Sequence, residues 1–170
     1  MKYLFILVFV LAYILFGTEL GYTVTSPFYT HLTYMLQHST IIHLVINSIA
    51  FIAVFNNLQK WVNKWLIAGI MTLSGFIASF LSQYEIPTVG ASSMIYGMIG
   101  MYISITLFSK QIKIANTRKY LLFLTCIGIG LLVSLLKNNS NFFVHLYSLV
   151  IGFVLSVPLS RLTNTRAIGG

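Results

Sequence analysis

Residues 89–100 read VGASSMIYGMIG: two serines and a tyrosine at the mouth of a segment otherwise apolar enough for a lipid bilayer. Ser93 and Gly97 stand four apart, a small-xxx-small pair of the kind that lets membrane helices approach closely. A helix is expected from about residue 91 to residue 108. Its serines either open a packing stripe, or one of them is a nucleophile inside the membrane. The rest of the chain has to separate these readings.

The 170 residues are 58% hydrophobic and 7% charged, whereas a soluble domain carries about a quarter charged residues. Most of the surface must therefore be apolar, and its solvent is lipid. A bilayer core of about 30 Å takes roughly 20 residues per helix. Apolar runs at about 3–18, 40–58, 65–82, 91–108, 120–136 and 142–159 give six such helices. The expected fold is an all-α, six-transmembrane-helix bundle, with residues 1–170 forming a single membrane domain. No tandem repeat, low-complexity run or soluble domain interrupts it.

Charge sets the expected orientation. With the N-terminus inside, Lys2, Lys60, Lys64, Lys110, Lys113, Arg118, Lys119, Arg161 and Arg166 are cytoplasmic and Lys137 alone is outside. The opposite orientation would break the positive-inside rule. Both termini are thus expected in the cytoplasm, with Trp61 and Trp65 at the inner interface. The net charge of +8, which in a soluble chain would suggest nucleic acid, reflects this loop bias, and no nucleic-acid partner is expected. The first 17 residues also read as a basic and an apolar region of a signal peptide. No small-x-small cleavage site follows, so the first span is expected to be retained. The loop ELGYTVTSPFYTHLTYMLQHS is too apolar for a linker and is expected to lie in the outer interface. Cys126 is the single cysteine, which excludes an intrachain disulfide.

Polar side chains inside a membrane are costly and point to function. His43 and Asn47 lie in the first turns of span two, Ser92 and Ser93 open span four, and His145 lies in the first turn of span six. All three spans are expected to enter from outside, so these groups fall within about 12 Å of the outer surface at 1.5 Å per residue. Taken singly, each has an ordinary explanation: a serine bonded to its own helix, an interhelical asparagine, a satisfied core histidine. Their shared depth on three helices distant in sequence favours a site.

The residue types restrict the chemistry. A hydroxyl nucleophile needs a base, usually histidine. There is no aspartate, and Glu19 and Glu85 lie in outer loops, so the available arrangement is a Ser–His dyad. His43 and Asn47 share a face at i, i+4 and can both donate to a developing oxyanion, as can the Ser92 N–H at a helix start. Ser148, Gly152 and Ser156 form a small-residue stripe on the His145 face of span six. GASSM is not the G-x-S-x-G elbow, because Met94 takes the last glycine's place. His38 and His43, five apart, do not share a metal on one helix face. No phosphate loop or Walker lysine is present. Neither cofactor nor metal is expected.

These residues resemble the rhomboid intramembrane serine proteases. That family has His-x-x-x-Asn on the second core helix, Gly-x-Ser opening the fourth and a histidine on the sixth. The corresponding stretches are HLVIN (His43, Asn47), GASS (Gly90, Ser92) and VHLYSLVIG (His145), and the resemblance covers nearly the whole chain. His38, Tyr96 and Gly100 also match family positions. The resemblance implies Ser92 as nucleophile, His145 as general base and acid, and an oxyanion hole of His43, Asn47 and the Ser92 N–H. It further implies Tyr96 packed beside His145, water access from outside, and membrane-spanning proteins cut near the outer surface as substrates. A bare six-span core looks like a bacterial plasma-membrane protein. Oligomeric state is open.

Five positions depart from the pattern. Ser93 replaces a common glycine, which leaves it as an alternative hydroxyl, and Ser148 replaces another, which predicts a slightly wider approach of spans four and six. Tyr29 and Thr30 stand where many bacterial members have Trp-Arg, and Gln59 where an acid is usual, so the first loop is expected to be held differently. A catalytically silent relative that binds transmembrane helices remains the alternative, although neither Ser nor His is lost. A channel or transporter using His43 and His145 as a proton relay is disfavoured by the lack of intramembrane carboxylates.

Overall fold

The computed structural model describes residues 1–82, 85–109, 117–136 and 141–162. Its helices are α1 (Lys2–Phe16), the single turn α2 (Thr30–Thr33), α3 (Ile41–Leu58), α4 (Lys64–Leu81), α5 (Ser92–Phe108), α6 (Thr117–Leu136) and α7 (Phe142–Leu162). A 3₁₀ turn, Tyr34–Leu36, follows α2. The architecture is all-α. Of these helices, α3, α4 and the stretch Phe142–Leu159 of α7 are long and apolar enough to cross a membrane, while Lys2–Phe16, Ser92–Phe108 and Leu121–Leu136 are apolar but shorter. Lys110, Lys113, Lys137 and Arg166, on which the expected orientation partly rests, lie outside the described residues.

Helix bounds depart from the apolar runs by up to three residues, for local reasons. α1 stops at Phe16 because Gly17 turns the chain with φ of 52°. α6 begins at Thr117 and α7 continues to Leu162, both extending past their apolar runs into sequence carrying Arg118, Lys119 and Arg161. Thr40 caps α3 by accepting from the His43 N–H at 3.1 Å, and Asn63 caps α4 through the Trp65 N–H at 2.9 Å.

α5 is the central helix. Its residues Met94, Ile95, Met98, Ile99, Met101 and Ile105 are buried, and α3, α4 and α7 pack around it. α1 covers α3 through Phe5, Phe9 and Phe51, whose rings meet at 5.5 Å. The outer faces are apolar: Ile42, Ile46 and Ile49 of α3 and Leu122, Ile129 and Leu132 of α6 are more than half exposed. Ser74, Ser93, Ser104, Ser148 and Ser156 are fully buried. This distribution, inverted relative to a protein in water, suits a lipid solvent. There, helices associate by close packing of small residues rather than by hydrophobic expulsion.

The closest approach is between α5 and α7. A β-carbon on Gly152 would stand 2.1 Å from the Gly97 carbonyl oxygen, and one on Gly100 would stand 2.0 Å from the Leu149 oxygen. Ser148, fully buried, lies one turn before this crossing, which itself falls on glycines. Ser93 faces α4 instead: a β-carbon on Gly75 would meet its Oγ at 3.0 Å.

The first loop folds back over the bundle. Gln37, fully buried, accepts from the Leu20 N–H at 2.7 Å and donates to the Phe16 and Gly17 carbonyls. Tyr22 and Thr88 pair as an isolated antiparallel bridge, N–H to O=C in both directions, at 3.1 and 2.8 Å. The loop before α5 is thereby tied to the loop after α1.

Candidate active site

Ser92, the first residue of α5, places its Oγ 2.8 Å from His145 Nε2 on the first turn of α7. Both side chains are half-buried. The α5–α7 crossing at Gly97 and Gly152 brings these turns together, since no side chain intervenes. The Tyr96 ring, one turn along α5, stacks on the imidazole at 4.8 Å with an interplanar angle of 26°. The imidazole is thus held at one edge by a hydroxyl and on one face by an aromatic ring.

Gly90 sits two residues before Ser92 with φ of 131°, backbone that favours glycine. A β-carbon there would lie 2.9 Å from His43 Cε1, 3.0 Å from His43 Nε2 and 3.4 Å from Asn47 Nδ2. The polar ends of both α3 residues therefore converge on the backbone leading into Ser92. The Asn47 amide nitrogen is buried and has no hydrogen-bond partner among the described residues. An unspent donor at this point is what an oxyanion site requires. As the first residue of α5, Ser92 also has a backbone N–H with no intrahelical acceptor. His43 Nδ1 is in turn 3.2 Å from Ser39 Oγ.

His38 lies behind this group. It is fully buried, its ring 5.4 Å from Phe9 and 5.2 Å from His43, with Nε2 a long 3.5 Å from the Ala91 N–H. Burial, with His43 beside it, holds its pKa down to about 4, so the ring is neutral near neutral pH.

Two residues that sequence reasoning did not single out belong to the surroundings. Ser134 of α6 places Oγ 2.9 Å from His145 Nδ1. The signal that could have found Ser134 is a polar residue close to the outer end of an apolar span. The Asn141 amide nitrogen, with two protons to donate, lies 3.0 Å from the Tyr22 hydroxyl, 3.1 Å from that of Thr88 and 3.2 Å from that of Ser82, while its oxygen caps α7 through the Val144 N–H at 3.1 Å. It fixes the start of the helix that carries His145.

A second Ser–His contact exists: His31 Nδ1 and Ser79 Oγ lie 2.9 Å apart. Ser79 donates its proton to the Phe76 carbonyl at 2.6 Å, so in this contact the imidazole N–H is the donor. That polarity is opposite to what removal of a serine proton needs. His31 is also stacked on Phe80 at 4.1 Å and on Tyr22 at 5.2 Å, which makes it a link between the first loop and α4. The Ser92–His145 contact has the favourable arrangement, with donors converging beside it. No group of three or more His, Cys, Asp or Glu suited to a metal occurs among the described residues.

A rhomboid domain model matches residues 25–162, a stretch that contains His38, His43, Asn47, Gly90, Ser92, Tyr96, Ser134 and His145. Over 144 residues the chain is 28% identical to YdcA of Bacillus subtilis (strain 168), described as a candidate rhomboid protease, covering 82% of this chain and 71% of that one. Over 131 residues it is 34% identical to RHOMBOID-like protein 6, mitochondrial, of Arabidopsis thaliana, covering 75% of this chain. The matched part is 42% of the plant protein's length.

Proposed function

Given that the chain belongs to the rhomboid family, we propose that it is an intramembrane serine endopeptidase that cuts transmembrane proteins near the outer face of a cell membrane. The observation that carries this reading is the 2.8 Å contact between Ser92 Oγ and His145 Nε2. Ser92 is the nucleophile: as Oγ bonds to the scissile carbonyl carbon, its proton passes to Nε2. The developing oxyanion takes hydrogen bonds from Asn47, His43 and the Ser92 N–H. His145 then gives the proton to the leaving amine. Water, deprotonated by the same nitrogen, hydrolyses the acyl-enzyme and regenerates Ser92. No metal or cofactor enters any step.

The chain works as one membrane domain of six spans with both termini cytoplasmic and the site opening outward, in a bacterial plasma membrane. The nine-to-one division of basic residues supports the orientation. Support for the depth comes from Ser92 and His145 both lying in the first turns of their helices. Substrates are membrane helices whose backbone can unwind to present a carbonyl to Ser92.

The test is labelling of the purified, detergent-solubilised chain with a fluorophosphonate, comparing wild type with Ser92→Ala, Ser93→Ala and His145→Ala. Labelling is expected to vanish in the first and third and persist in Ser93→Ala. A folded wild type that neither labels nor cuts a generic transmembrane substrate would overturn the reading in favour of a silent relative that binds helices.

A further inference from the structure

α6 turns a single narrow face toward the Ser92–His145 pair. Ser134 is buried, although Leu132, Val133, Leu135 and Leu136 around it are each more than half exposed. One turn earlier on the same face, a β-carbon on Gly130 would stand 2.9 Å from the Tyr96 hydroxyl. Positions i and i+4 of α6 therefore meet the two stacked rings of the site, Tyr96 and His145. A helix that buries its serine and exposes its leucines to lipid has placed that hydroxyl inward.

His145 has hydrogen-bond partners at both ring nitrogens, Ser92 Oγ at 2.8 Å from Nε2 and Ser134 Oγ at 2.9 Å from Nδ1. A neutral imidazole carries one proton. If Ser92 is to donate to Nε2, that nitrogen must be bare, so the proton resides on Nδ1 and is donated to Ser134. The Ser134 oxygen can accept it and still direct its own proton to another acceptor. We propose that Ser134 is a positioning residue: by accepting from His145 Nδ1–H it holds the imidazole in the tautomer and orientation that receive the Ser92 proton. This rests on the reading of Ser92 and His145 as the catalytic pair. A carboxylate in this position would orient the ring and also stabilise the imidazolium. A neutral hydroxyl orients it and contributes far less charge stabilisation.

The experiment uses the full chain in detergent and a fluorogenic transmembrane substrate. It measures kcat and KM against pH for wild type, Ser134→Ala, Ser134→Thr and Ser134→Asp. The titratable groups about His145 among the described residues are Tyr96 of α5, stacked on it, and His43 of α3, near enough to act on it electrostatically. All four proteins keep both groups. Ser134→Ala is expected to lower kcat about 10-fold with KM unchanged, in line with the loss of a partner that orients a functional histidine. Ser134→Thr restores most of the rate. Ser134→Asp, which introduces a charge beside Nδ1, moves the acidic limb of the pH–rate profile upward by about one unit or more. Wild-type kinetics in Ser134→Ala would overturn the proposal. So would a loss that Ser134→Thr does not rescue, accompanied by an unmoved profile in Ser134→Asp, which is the pattern of a packing role. A folded wild type that neither labels nor cuts overturns the catalytic reading itself and this proposal with it. An active wild type with an insensitive position 134 overturns this proposal alone.

Discussion

Gly152 lies so close to Gly97 that a β-carbon on it would stand 2.1 Å from the Gly97 carbonyl oxygen and 2.7 Å from the carbonyl carbon. Both atoms are backbone and cannot swing aside, so any larger residue must push α7 away from α5. Ser92 and His145 ride on these same helices, and their 2.8 Å contact depends on the spacing. Gly152→Ala is expected to reduce fluorophosphonate labelling about 100-fold or more, the scale on which a catalytic pair responds to a misplacement of about 1 Å. Gly69, where an added β-carbon meets nothing within 4 Å, supplies the control: Gly69→Ala should label like wild type. Equal labelling of both variants would mean that the crossing does not set the site.

The Asn47 amide nitrogen is buried beside Gly90 with no partner among the described residues. In the resting protein such a donor contributes nothing to stability, and its use comes when an oxyanion forms. Asn47→Ala is therefore expected to lower kcat by about 10²–10³ while leaving KM and the thermal midpoint close to wild type. Kinetics on a transmembrane substrate, paired with a thermal melt in detergent, would check both halves. A matched rise in KM at constant kcat would assign Asn47 to substrate binding instead.

Much of this was legible in the sequence because a membrane helix fixes depth: with a rise of 1.5 Å per residue, position in a span is position in the bilayer. His43, Asn47, Ser92 and His145 were singled out on that ground, and the structure brings His43 and Asn47 to Gly90 and His145 to Ser92. Ser134 satisfies the same criterion but was hidden among leucines in a span whose inward face cannot be read from hydropathy. Asn141 could not have been found this way. Its partners Tyr22, Ser82 and Thr88 stand 119, 59 and 53 residues away, and the register that joins them is set by loop folding rather than by any local pattern. The division of labour among small residues was equally hidden. Ser93 packs toward Gly75 of α4, and the α5–α7 crossing falls on Gly97, Gly100 and Gly152.

Asn141 offers a stability test. Its amide nitrogen lies within hydrogen-bond reach of three hydroxyls from separate parts of the chain and its oxygen caps α7, all in a buried setting. Asn141→Ala removes the cap and leaves several buried groups short of a partner, which together should cost about 3 kcal/mol. Denaturant unfolding in mixed micelles measures this directly. An effect below about 0.5 kcal/mol would place it among ordinary surface substitutions and deny it a structural role.

Stability should also depend on pH through His38. Burial holds its pKa at about 4 in the folded chain, against 6.5 when unfolded. Between those values the unfolded chain binds a proton that the folded chain does not, so stability rises with pH across the window. The contribution is complete above about pH 6.5 and is lost progressively as pH falls toward 4. His31, whose pKa is also lowered by burial, adds a slope of the same sign. Thermal midpoints in detergent, measured at several pH values from 4 to 7, should therefore fall on acidification. His38→Gln, which keeps a hydrogen-bonding group and removes the titrating ring, should fall less steeply than wild type. Identical slopes for the two proteins would show that His38 does not carry the acid sensitivity of the fold.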